Sequence, residues 1–189
     1  MRRLLALVAA LALGWLWCNP LPAGATTNSV EAAQRGGGNA IMVAPQYYDF
    51  SNGTIPDCQY VADANLIEFH DPNAIISQDE VVAEYLANPV YVYWSNFTPL
   101  NFLESTGFDG ITIASYQRIY SDDEVESGAS AGGVYAWVNV NGPLYHAIAI
   151  IGANTTGPII VWYGDVTQQT WEWYDANMVV EFAVTWATS

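Results

Sequence analysis

The chain has 189 residues, the length of one domain, and is 52% hydrophobic but only 12% charged. That balance excludes a disordered chain, which is rich in charge and poor in aromatics. The formal charge is -15, with four Arg and no Lys, so no nucleic acid and no anionic membrane surface is expected as a partner, because both are held mainly through cations.

The N-terminus carries Arg2 and Arg3, then an apolar run of Leu, Ala and Val from Leu4 to Leu13, then Ala23-Gly24-Ala25. This is the charged, apolar and small-residue layout of a secretory signal peptide, predicted over residues 1–25. The apolar run is too short for a membrane span, which needs about 20 residues. Cys18 follows the bulky Trp17, a poor context for lipidation, which stays a minor alternative. The expected location is outside the cytoplasm: secreted, periplasmic or at the cell surface. Cleavage removes two Arg and no acid, which leaves a mature charge of -17. A surface of that sign suits a salty habitat or a cationic partner. It also leaves Cys58 without another Cys, so an internal disulfide is excluded. The remaining choices are an intermolecular bridge, a buried thiol or a reactive one.

Residues 26–40, with Gly36-Gly37-Gly38-Asn39, read as a flexible linker, and 41–189 as the folded domain. Residues 57–70 are predicted helical, with Val61, Ala64 and Leu66 or Ile67 on one apolar face, Asp63 and Glu68 on others, and Asp57 as N-cap. Asp71-Pro72 ends that helix. Ser77-Gln78-Asp79-Glu80 is a capping box that opens a helix to about Ala87, stopped by Asn88-Pro89. Thr98-Pro99 begins a third helix, closed by Gly107 and Gly110. Asp122-Asp123-Glu124 with Glu126 reads as a solvated loop or a helix start. Strands are predicted over 133–140, 145–151, 159–163 and 179–186, with one helical turn over 170–177. Helices followed by a β-meander are an α+β signature.

Cys58 at a helix N-terminus has its thiolate favoured by the free N–H groups and the helix dipole. His70 is twelve residues further along the same helix, about 18 Å at 1.5 Å per residue, and cannot serve the thiol. His146 at the start of an apolar strand is the candidate base, against the reading of a hydrogen-bonded structural imidazole. Asp165, after the next strand, is the candidate to orient it.

These residues carry a resemblance. Asp57-Cys58 opening a helix, His146 beginning the strand to Gly152, and the segment from Gly157 to Asp165 together resemble the papain-like cysteine peptidase superfamily, nearest the group of bacterial double-glycine leader peptidases. The resemblance covers about residues 57–186, and Thr170 to Tyr174 is similar to that family's short helical segment. It implies a papain-like fold, N-terminal helices packed on a C-terminal antiparallel sheet. It also implies Cys58 as nucleophile, His146 as general base and acid, and Asp165 as the orienting residue. The family's upstream oxyanion Gln is replaced here, with Asn52 or Gln46 as the candidate donor. Gln59-Tyr60 stands where the family has small residues. The implied activity is a secreted cysteine peptidase or amidase acting on a peptide or amide substrate by acyl transfer.

The alternative is a papain-like relative without turnover, or an aromatic-rich secreted binding module. Trp162, Trp171 and Trp173 form either a ligand platform or core. No metal and no cofactor is expected, because one Cys, two His and scattered acids give no close ligand spacing. A monomer is expected.

Overall fold

A computed structural model describes residues 58–87, 98–141, 144–162 and 165–188. The predicted signal peptide and linker, Gln46, Asn52, the Asp57 cap and the Asn88-Pro89 stop lie outside the described residues.

The first three helices are α1 (Cys58–His70), α2 (Gln78–Ala87) and α3 (Thr98–Ser105), close to their predicted bounds. The capping box forms as the sequence dictates. The Glu80 amide donates to the Ser77 hydroxyl at 3.2 Å, and the Ser77 amide donates back to the Glu80 carboxylate at 2.6 Å. Those bonds favour the ionised acid and hold the Glu80 pKa below its usual value. After α3 the amide of Gly107 returns to the carbonyl of Phe102 at 2.9 Å. This closure places Gly107 at φ 61°, a conformation that glycine adopts without a Cβ clash.

The chain then alternates before the meander starts. Strand β1 (Ile113–Arg118) and helix α4 (Asp122–Ala131) precede β2 (Val134–Asn141), β3 (Leu144–Asn154), β4 (Gly157–Trp162) and β5 (Asp165–Gln168). Helix α5 (Trp171–Asn177) and β6 (Met178–Trp186) complete the described chain. The expectation of helices first and strands after is therefore corrected at β1 and α4, and β5 is a strand the sequence reading did not include. The acidic segment at 122–126 is a helix start. Ser121 caps α4, and Glu124 reaches back to the Tyr120 amide at 2.7 Å.

The six strands form one antiparallel sheet in the order β1-β6-β2-β3-β4-β5. The fold is α+β, with helices on both faces of this sheet. Helix α1 lies on one face, with α2 and α3 packed against it, and α4 and α5 lie on the other. Burial on both faces explains why β4, Gly-Pro-Ile-Ile-Val-Trp, is an unbroken apolar run rather than an alternating one. Where α1 crosses the start of β2, Gly133 sits at φ 97°, and a Cβ there would lie 2.5 Å from the Leu66 side chain. The missing side chain is what lets the helix approach.

Candidate functional site

Cys58 is the first residue of α1 and is only 3% exposed. It belongs to the core on the α1 face, together with Tyr135, Trp137, Ala147 and Ala149. Two alanines in β3 let the helix lie close to the strand.

His146 stands opposite Val138 in the β2–β3 ladder, whose register is regular from Val134 to Asn139. Side chains alternate between faces with a period of two. Ala147, Ala149 and Ile151 therefore face α1, while Ile148 and Ile150 face α4 and α5. Val138 also faces α4 and α5, and so does His146. The imidazole is 2% exposed and packs on Trp162 of that same face, with ring centroids 4.7 Å apart. Trp162 meets Trp173 edge to face at 6.4 Å. Cys58 and His146 thus project from opposite faces, and the sheet lies between thiol and imidazole.

Asp165, expected after the strand beside β3, begins β5, pairs with Trp162 of β4 and is exposed. Asn52 and Gln46, the candidate oxyanion donors, lie outside the described residues. His70 behaves as its position predicted. It ends α1, far from Cys58, and stacks on Trp186 with centroids 4.3 Å apart and planes 8° from parallel.

The residues that sequence reasoning missed lie along α1. Asp63 and Glu68 were expected on non-apolar faces, yet every residue from 58 to 69 is buried. Asp63 is 0% exposed, and both of its carboxyl oxygens are buried without a hydrogen-bond partner. Desolvation raises its pKa well above the usual carboxylate range, and Glu68 is pushed up to about 8 for the same reason. Burial is also the main cause that raises the Tyr135 hydroxyl pKa, with Asp63, Cys58 and Tyr60 adding to it. A signal for this was present. Tyr60, Val61, Ala62, Ala64, Leu66, Ile67 and Phe69 surround the helix instead of forming one stripe, the pattern of a helix buried on all sides.

Of the aromatic candidates, Trp162 is fully buried, while Trp171 and Trp173 are half-buried and packed against the core. Among the described residues no solvent-facing row of Trp is present, and they act as core. Nor do three His, Cys, Asp or Glu side chains among the described residues converge where a metal ion would bind. No described helix is long and apolar enough to cross a membrane. Exposed acids gather instead around α4 and α5. Asp122 has its pKa raised by partial burial and by its neighbours Asp175 and Asp123. Close by, the Tyr174 hydroxyl donates to the Glu181 carboxylate at 2.7 Å.

Compared with models of known families, with curated proteins and with solved structures, the chain matches none of them.

Proposed function

We propose that this chain is a secreted domain of papain-like ancestry that binds a cationic peptide or protein without turning it over. One observation carries the non-catalytic part: Cys58 and His146 lie on opposite faces of the β2–β3 ladder. A cysteine hydrolase needs its base within hydrogen-bond reach of the thiol. Asp165, the candidate to orient the imidazole, is exposed at the start of β5. The papain-like part rests on a helix opened by Cys58 that packs on an antiparallel sheet. Secretion rests on the N-terminal layout of residues 1–25.

The partner class follows from charge. A chain at -15 with no Lys steers cations toward itself and repels acidic molecules. Binding of this kind is weakened by salt, since the Debye length shrinks from about 10 Å at 0.1 M to about 3 Å at 1 M.

The test pairs binding with turnover. An oligolysine peptide, titrated calorimetrically onto the mature protein, is expected to bind at low salt and to be released at high salt. A mixture of fluorogenic peptide substrates is expected to show no hydrolysis that depends on Cys58. Hydrolysis abolished by Cys58→Ser would restore the peptidase reading. Failure of the peptide to bind at low salt would remove the cationic partner.

A further inference from the structure

Among the described residues, the acids of α1 have no Lys or Arg near them in sequence, and His70 ends the helix. From residue 36 to residue 117 the sequence contains no Lys and no Arg. The sole Arg among the described residues, Arg118, ends β1 and lies 5.3 Å from the Tyr120 ring. Among the described residues, Asp63 acts on Tyr60 of α1 and Tyr135 of β2; Cys58 also acts on Tyr135, and Glu84 and Tyr85 of α2 act on Tyr60. The residues of β3 that face α1 are Ala147, Ala149 and Ile151, and its imidazole is on the other side. From α3, Leu100, Phe102 and Leu103 enter this core, while Glu104 is exposed. A carboxylate in this environment has neither a hydrogen bond nor an opposite charge to compensate its lost hydration, which is the costly arrangement.

We propose that α1 is a proton-held latch: Asp63 and Glu68 are carried as neutral acids while the helix is buried, and their ionisation as pH rises loosens α1 from the sheet. The sign follows from proton counting. Both groups bind protons more tightly in the folded chain than in the unfolded one. Stability is therefore greatest below the ordinary carboxylate range and falls as pH climbs toward the folded values. For Glu68 the window runs from 4.5 to about 8. Across it the folding equilibrium constant falls as pH rises. Resting on the proposed secretion, external acidity sets whether the latch holds.

The experiment is urea unfolding of the mature protein from pH 4 to pH 9. It compares the unaltered chain with Asp63→Asn/Glu68→Gln and with an exposed control, Glu126→Gln/Glu172→Gln. Both double variants remove two carboxyl groups, buried in the first and exposed in the second, so a pH effect specific to burial separates them. The unaltered chain and the control are expected to lose midpoint steadily with rising pH, and the α1 variant to lose far less. Equal slopes in all three, or a midpoint that rises with pH, would overturn the proposal. If the α1 variant does not fold, infrared spectroscopy of the unaltered protein decides at pH 7. A protonated-carboxyl band that disappears on unfolding supports the latch, and its absence overturns it.

Discussion

The two faces of the sheet treat the same residue types in opposite ways. On the α1 face a whole helix is buried, and its acids are buried with it, Asp63 without any hydrogen-bond partner. On the α4–α5 face the acids are in water or paired. Asp122 and Asp123 stand exposed in the first turn of α4, and Glu181 accepts from Tyr174. The thiol and the imidazole are divided in the same way, Cys58 on the first face and His146 on the second. The lesson is that a residue's chemistry is set by the face it points to, and in a strand a shift of one position changes the face.

Four substitutions sharpen this comparison, each read as a change in urea midpoint. Trp162→Ala opens the α4–α5 face beneath His146 and Trp173, and is expected to cost about 3–5 kcal/mol. Leu66→Ala opens the α1 face beside Gly133, with an expected loss of about 2–5 kcal/mol. The two sites are on opposite sides of the sheet, so the double variant should lose the sum of the two. A clear departure from additivity would mean that the faces are coupled. Tyr174→Phe removes the bond to a half-buried carboxylate and should cost about 1.5–3 kcal/mol. Ser77→Ala removes the α2 cap far from both faces, and about 1 kcal/mol is expected.

Much of the fold was legible because its signals are local. Ser77 to Glu80 spells a cap, Thr98-Pro99 spells a helix start, and the apolar runs of β3 and β4 are bounded by turn residues. β1 was not legible. It is an edge strand, and Ala114, Ser115, Gln117 and Arg118 are exposed, so it lacks an apolar alternation. Strand β5 has only four residues and follows β4 after two, so Asp165 read as the end of one strand rather than the start of the next. The candidate site was the least legible part. Cys58 on a helix and His146 on a strand were both placed in the right element. Which face of β3 the helix covers is a tertiary choice, and the alternation of Ala and Ile from 147 to 151 is compatible with either face. The buried acids of α1 were hidden for a related reason, since Asp and Glu in a helix ordinarily mark its wet side.

The most direct test of the separated faces is the pH profile of Cys58 alkylation by iodoacetamide in the mature protein, measured beside His146→Ala. Slow labelling with the same profile in both proteins is the predicted result, because the sheet keeps the imidazole from the thiol. Rapid labelling below pH 7 that His146→Ala abolishes would contradict it and place the two side chains in one site.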